Sequence, residues 1–221
     1  MSGVPAGFSV FTFLHLIVRG NPAATAANIL GAEGPFRLAI VAEIAGILFF
    51  VSSMLFFYEL LKPVSRRLAL LLVFFSLIGS VIQALDSLAD IAALILLKGG
   101  DTLSAFPTEQ AQQLAFVFLR LHMLVYDLAL VFFGVACILI GTLVFRSMFL
   151  PRILGVFMAI DGLGYLTISF ATFLAPVFAA HLQPILPFGT ALLGEGSLML
   201  WLVVRGVNAG RWEAQAAAHA T

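Results

Sequence analysis

Ionisable and polar residues lie inside long apolar stretches of this chain, and a set of them makes up its candidate ligand-binding residues. The set consists of Glu43, Asp86, Asp90, Arg120, His122, Asp127, Asp161, Tyr165 and Glu195. Carboxylate oxygens suit hard cations and imidazole suits zinc, and both kinds of group can carry a proton. Because charge is costly in hydrocarbon, these side chains are expected to face a bundle interior or a cavity.

Most of the set is expected at one depth, near the outer boundary of the membrane. Glu43, Asp86 and Asp127 each lie about 18 residues, or roughly 27 Å, from the inner end of their helices. The layer comprises Glu43, Asp86, Asp90, Arg120, His122 and Asp127. If the faces carrying these groups converge, they form an acidic pocket that binds a cation, a proton or a metal. The alternatives are hydration by the headgroup region and a structural ion pair of Arg120 with a carboxylate.

A second, deeper layer consists of Asp161 and Glu195, roughly 12 to 14 Å from the inner edge. A carboxylate at the membrane centre costs about 2.5–3.5 kcal/mol, so both are expected to be buried in protein or protonated. Neighbouring glycines allow close helix packing, and Tyr165 shares a face with Asp161. These glycines are Gly162, Gly164, Gly194 and Gly196. We expect the two acids to meet across helices five and six and share a proton; the alternative is polar packing without turnover.

The amino-acid composition indicates whether water or lipid surrounds the segments that carry these groups. Of 221 residues, 62% are hydrophobic and 10% charged, against about 25% charged in soluble domains. Apolar runs long enough to span a bilayer must be helices, since lipid offers the backbone no partner. The predicted spans are residues 4–18, 36–61, 68–97, 109–145, 153–175 and 186–204. The fold class is therefore all-α, a polytopic membrane helix bundle of about six transmembrane helices plus a short surface helix that begins at Asn21-Pro22.

Residues 1–208 are predicted to form one transmembrane domain, and residues 209–221 a flexible cytoplasmic tail. Basic residues at the ends of the spans divide seven to three between the two sides. Those on the richer side are Lys62, Arg66, Arg67, Arg146, Arg152, Arg205 and Arg211. This split fits six spans with both termini in the cytoplasm. The polar loop at residues 101–108 is expected at the outer face.

Common catalytic motifs are absent from the sequence: it has no P-loop, C-x-x-C, H-E-x-x-H or G-x-S-x-G. With zero net charge, no basic surface indicates nucleic acid as a partner. Cys137 is interpreted as a packing residue. No cofactor is expected and no metal ligand is assigned. A metal-dependent enzyme is disfavoured, because only one intramembrane histidine lies near the carboxylates, where catalytic zinc sites commonly use two or three.

Several stretches along the chain resemble the bacterial membrane-protein family called domain of unknown function 4386. They begin at Phe36, Leu121, Leu150, Gly164 and Gly194. The family pattern is matched at Arg37, Glu43, His122, Pro151, Arg152, Tyr165 and Glu195, and not clearly at Asp86, Asp90, Arg120, Asp127 and Asp161. The resemblance favours Glu43, His122 and Glu195 as site residues. It implies a multi-pass protein of a bacterial inner membrane, and it implies no reaction.

Three hypotheses for the function remain open. The first is a protein that binds or moves a small ion, proton or lipid-like ligand within its bundle, with membrane lipids as further partners. The second is an intramembrane metal-dependent enzyme that uses His122 and the outer carboxylates. The third is a structural or sensory membrane subunit. The sequence leaves enzymatic activity undecided and favours a role in binding.

Overall fold

The computed structural model describes residues 3–99, 106–183 and 185–218, and every regular element in these ranges is helical. The helices are α1 (Gly3–Leu16), α2 (Pro22–Gly31), α3 (Glu33–Leu61), α4 (Arg66–Lys98), α5 (Thr108–Arg146), α6 (Arg152–Leu174), α7 (Pro176–Leu182), α8 (Ile185–Ala191), α9 (Ser197–Val204) and α10 (Ala209–Ala218). A π-helical turn, Leu192–Gly196, joins α8 to α9. The prediction of an all-α helical bundle is confirmed.

Helix ends follow local sequence signals. Asn21 caps α2, accepting a hydrogen bond on its side-chain oxygen from the Ala24 N–H at 3.0 Å, and Pro22 is the first helical residue. The predicted short helix is therefore present. Proline also stands at the start of α7, where Pro176 has no N–H to leave unsatisfied. Pro151 instead lies just outside α6, at its N-cap position, in an extended conformation.

Five helical segments of the described chain are long and apolar enough to cross a membrane. They are α3 with 29 residues, α4 with 33, α5 with 39, α6 with 23 and the continuous segment Ile185–Val204 with 20. The first predicted span forms α1, which has 14 residues and is shorter than these five. Most of the predicted polar loop, residues 101–105, lies outside the described residues.

The chain forms two compact units, to both of which α3, α4 and α5 contribute. Unit 1 comprises Met1–Val51 and Ser80–Tyr126, and unit 2 comprises Ser52–Gly79 and Asp127–Thr221. Each unit has its own apolar core; Ile29, Phe36 and Leu119 are buried in that of unit 1. Leu72 and Ile168 are buried in that of unit 2. The prediction of a single domain over residues 1–208 stays a prediction.

In unit 2, glycines bring the backbones of α5 and α6 into contact. A Cβ atom added at Gly141 would lie 2.6 Å from the carbonyl oxygen of Gly155, and one added at Gly155 would lie 2.6 Å from that of Gly141. A Cβ added at Gly134 would lie 2.9 Å from the carbonyl oxygen of Gly162. Only hydrogen fits at these two crossings, which are about two helical turns apart. The packing fixes the position of α6.

Residues 209–218 of the segment predicted as a flexible tail are instead helical, and for these residues the prediction needs correction; residues 219–221 of that segment lie outside the described residues. Residues Ala209–Ala218 form α10, and the Asn208 side chain caps it by accepting from the Arg211 N–H at 3.0 Å. The Trp212 indole N–H donates to the Leu60 carbonyl at 2.9 Å. The Gln215 side chain accepts from the Met148 N–H at 3.0 Å. A cap and two side-chain hydrogen bonds thus order an alanine-rich segment.

Candidate functional site

In unit 1, three helices bring together four residues that we call the carboxylate–histidine cluster: Glu43 of α3, Asp86 and Asp90 of α4, and His122 of α5. The two aspartates are four residues apart, so they lie on the same face of α4. Both are buried, with 1% of their surface exposed, and Glu43 is buried as well. The helical spacing of ordinary residues therefore assembles the cluster without special backbone geometry.

His122 lies between the two aspartates. Its Nδ1 is 3.2 Å from Oδ2 of Asp86 and 3.1 Å from Oδ2 of Asp90. These distances are short enough for ion pairs, yet neither contact has the angles of a hydrogen bond, and Nδ1 has no such partner. Ligand atoms of Glu43, Asp90 and His122 all lie within 4.8 Å of one another. This spacing suits atoms that surround a common centre.

The cluster contains an unusual concentration of buried polar atoms that lack hydrogen-bond partners. They are Oε2 of Glu43, both carboxylate oxygens of Asp86 and of Asp90, and Nδ1 of His122. A buried polar atom without a partner costs about 1–3 kcal/mol, and more when it is charged. Three carboxylates facing one imidazole also leave an excess of negative charge when all are ionised. The site therefore requires positive charge, in the form of protons or a cation.

The surroundings of the cluster are mostly apolar. The ring of Phe13, on α1, lies 5.2 Å from the ring of His122 and 5.5 Å from that of Phe36, centroid to centroid. Phe13 is itself buried in the core of unit 1. A polar neighbour is Gln83, whose side chain lies near Glu43. Apolar cover of this kind lowers the local dielectric and strengthens attraction for a cation.

Two members of the predicted outer layer do not join this cluster. Arg120 is exposed and has no carboxylate within ion-pair distance among the described residues of unit 1. Asp127 belongs to unit 2, where the Gln183 side-chain amide donates to its Oδ1 at 3.4 Å. The predicted layer thus divides: four of its residues meet in unit 1, and Asp127 has its own amide partner elsewhere.

Unit 2 contains a second assembly, the Asp161–Glu195 group, made of Cys137 on α5, Asp161 and Tyr165 on α6, and Glu195 in the π-helical turn. One ligand atom each from Cys137, Asp161 and Glu195 lie within 4.8 Å of one another. The Tyr165 hydroxyl donates to Oε1 of Glu195 at 3.1 Å, and Cys137 Sγ lies 4.0 Å from the same oxygen. The two acids therefore meet across the helices, as the sequence suggested.

The two acids differ in their exposure. Asp161 is fully buried, and neither of its carboxylate oxygens has a hydrogen bond of acceptable geometry. Glu195 is exposed as a residue, although its carboxylate contacts Tyr165. Gly194 lets the turn approach α6, because a Cβ added there would lie 2.5 Å from the Cβ of Asp161. The absence of a side chain at this position thus permits the pairing.

A family model described as a domain of unknown function (DUF4386) matches residues 2–206. The chain belongs to the DUF4386 family. No curated protein and no solved structure matches it significantly. Family membership therefore supports the resemblance found in the sequence and adds no reaction or ligand.

In this DUF4386 chain, the residues that carry the resemblance fall in both assemblies. Glu43 and His122 belong to the carboxylate–histidine cluster, and Tyr165 and Glu195 belong to the Asp161–Glu195 group. Arg37 instead pairs with Glu33 at 2.7 Å on the exposed side of α3.

Two features of the Asp161–Glu195 group were not predicted from the sequence. Cys137 was interpreted as a packing residue, yet its sulfur lies beside both acids. Its spacing from Gly134 and Gly141, about one turn away on either side, could have indicated that it faces α6. The π-helical turn at Leu192–Gly196 also had no sequence signal. Such turns frequently occur at functional sites, where they change the direction of a side chain.

Proposed function

We propose that this DUF4386 protein is a multi-pass membrane protein that binds a divalent metal cation in its carboxylate–histidine cluster. Glu43, Asp90 and His122 would supply ligand atoms. The Asp86 carboxylate, next to His122, would offset part of the positive charge of the cation. The observation that carries the proposal is the set of buried, unpartnered oxygen and nitrogen atoms in one place. A bound cation would satisfy these atoms together.

The chemistry of the donors indicates the class of cation. Carboxylates with a single imidazole suit divalent first-row metals such as Mn²⁺ or Zn²⁺. Ca²⁺ uses oxygen ligands alone in most sites, so an imidazole beside the carboxylates favours a transition metal. The sequence alone assigns no metal ligand, because the number of histidines does not reveal that acidic residues from two helices lie beside the same imidazole on a third. We propose binding here, and no reaction.

Metal binding to the purified full-length protein in lipid nanodiscs tests this proposal. Titration calorimetry with MnCl₂ and ZnCl₂, after treatment with a chelator and dialysis, should give about one ion per chain. Asp90→Asn and His122→Gln should each weaken binding about tenfold or more. Asp127→Asn is the matched control, because it neutralises a buried aspartate outside the cluster. Absence of binding by the parent protein, or equal weakening by the control, would refute the proposal.

A second candidate function is proton binding by the Asp161–Glu195 group. The observation that favours it is the closeness of two carboxylates, one of them fully buried and without a hydrogen bond. Two such groups repel one another when both are ionised, so a shared proton would stabilise the pair. The Tyr165 hydroxyl, which donates to Glu195, would orient that carboxylate.

We further propose that the protein lies in the inner membrane of a bacterium, with both termini in the cytoplasm and lipids as its surroundings. Helices of sufficient length and apolarity support multi-pass insertion. The excess of basic residues at one set of helix ends supports this orientation.

A further inference from the structure

In unit 2, a groove of about 450 Å³ lies where the turn between α5 and α6 approaches α10. Three arginines line it: Arg146 at the end of α5, Arg152 at the start of α6 and Arg211 in α10. The other lining residues include Ser147 and Met148 and no acid. Neither the carboxylate–histidine cluster nor the Asp161–Glu195 group includes these residues, so the groove is a separate feature.

The three arginines keep their charge available to a ligand. All three are exposed, and none has a carboxylate within ion-pair distance among the described residues. Two of them are held in place by other contacts. The Arg152 guanidinium stacks 5.8 Å from the centre of the Phe145 ring, and Arg211 Nη1 lies 3.5 Å from the Met148 carbonyl oxygen. These contacts leave most of the N–H donors free.

The start of α6 adds further positive potential to the groove. The residue before this helix is Pro151, and no side chain caps the first turn. Unsatisfied N–H groups at a helix start carry partial positive charge and favour anions. Arginine side chains bind phosphate oxygens through paired N–H donors, so the combination fits a phosphate group.

The position of the groove on its helices indicates the source of that phosphate. It lies at the ends of α5 and α6, both of which are long and apolar enough to cross a membrane. Apolar side chains beside it are exposed, among them Phe145, Met148 and Ile153. A groove with basic walls and apolar flanks at the end of a span is suited to a molecule with a phosphate head and an acyl tail.

We propose that Arg146, Arg152 and Arg211 bind the phosphate group of an anionic ligand, with phospholipid headgroups as the source that the surroundings favour. The test uses native mass spectrometry of the full-length protein in detergent. Phosphatidylglycerol, phosphatidylcholine and inorganic phosphate are added in separate arms. The groove variant carries Arg146→Gln, Arg152→Gln and Arg211→Gln. The control variant carries Arg66→Gln, Arg67→Gln and Arg205→Gln, which remove the same charge from exposed arginines of unit 2 outside the groove.

We expect the parent to retain phosphatidylglycerol over phosphatidylcholine, and the groove variant to lose this preference by roughly tenfold or more. The control variant should stay within about twofold of the parent. Retention of inorganic phosphate without a lipid preference, again abolished only in the groove variant, would support the same site with free phosphate as its source. Equal losses in both variants, or no phosphate ligand on the parent, would overturn the proposal. If the triple variant fails to fold, Arg152→Gln alone should reproduce part of the loss, and an unchanged preference in that variant overturns it equally.

Discussion

In the carboxylate–histidine cluster, the three carboxylates repel one another when they are ionised, unless positive charge is present. Asp86 and Asp90 are almost wholly buried, and none of their oxygens accepts a hydrogen bond of acceptable geometry. Removing a carboxylate from water costs several kcal/mol even after relaxation, and His122 is their only basic neighbour among the described residues of the cluster. Such a cluster destabilises the folded protein unless protons or a cation offset part of its negative charge.

The first prediction concerns Asp86→Asn, which removes one negative charge at constant size. The melting temperature of the metal-free protein should rise by a few degrees, since about 1 kcal/mol corresponds to roughly 2–4 °C for a chain of this size. The increase produced by Mn²⁺ or Zn²⁺ should become smaller than in the parent. Thermal unfolding in nanodiscs, with and without metal, measures both effects. Asp127→Asn serves as control; a fall in the metal-free melting temperature of Asp86→Asn contradicts the prediction.

The second prediction concerns the proton proposed for Asp161 and Glu195. If the pair shares one, a protonated carboxyl group should give an infrared carbonyl band at neutral pH. Asp161→Asn combined with Glu195→Gln should remove that band from the difference spectrum against the parent. The band should remain in Asp127→Asn. An identical spectrum for the parent and the double variant would show that the two acids hold no proton and serve only in helix packing.

Elements of this fold that depend on apolar length and on proline or glycine signals could be predicted from the sequence. The third predicted span, residues 68–97, agrees within two residues with α4, Arg66–Lys98. The start of α2 was predicted correctly because Asn21 and Pro22 act locally. Convergence of Glu43 with His122 was an expectation that needed three helices to have particular rotations. The spacing of residues along the chain does not specify how each helix is rotated about its own axis. The sequence therefore groups Arg120 and Asp127 with a cluster that they do not join.

Elements that depend on distant contacts could not be predicted. Helix α10 looks like a disordered tail by composition, and its order comes from hydrogen bonds of Trp212 and Gln215 to other parts of unit 2. The π-helical turn that carries Glu195 inserts a residue into a helix without a proline or glycine pattern that is specific to such turns.

The third prediction concerns the contact between α5 and α6. In Gly155→Ala, the new Cβ would lie 2.6 Å from the Gly141 carbonyl oxygen and 2.7 Å from the Phe145 nitrogen, and both atoms belong to the backbone. The helices must therefore separate, at a cost of about 1–3 kcal/mol. Unfolding in mixed detergent micelles measures this loss. Gly189→Ala is the control, because nothing lies within 4 Å of a Cβ added there; equal stability of the two variants contradicts the proposed contact.

At the scale of the whole molecule, the surface has the character of a protein dissolved in lipid. Large apolar side chains are exposed along the candidate spans, including Phe56, Phe74 and Val203. In water such a surface would drive aggregation, whereas in hydrocarbon it costs nothing and leaves the polar clusters as the specific contacts.

The number of times the chain crosses the membrane decides whether its termini lie on the same side. Five helices are long enough to span, while α1 has 14 residues. If α1 crosses with the others, both termini lie on the side rich in arginine. If α1 lies on the surface, the N-terminus lies on the opposite side from the C-terminus. The basic residues favour a cytoplasmic C-terminus in either arrangement, because Arg146 and Arg211 lie on the same side whether or not α1 crosses, so the side of the N-terminus has to be measured.

The fourth prediction tests the orientation with introduced cysteines and a membrane-impermeant maleimide. The native Cys137 is buried and should not react. Met148→Cys and Ala217→Cys should label only after the cells are permeabilised, whereas Gly31→Cys should label in intact cells. A tag before α1 that is digested by external protease would place the N-terminus outside and reduce the number of spans to five. Labelling of Met148→Cys in intact cells would reverse the orientation, and the arginine groove would then face the outer leaflet.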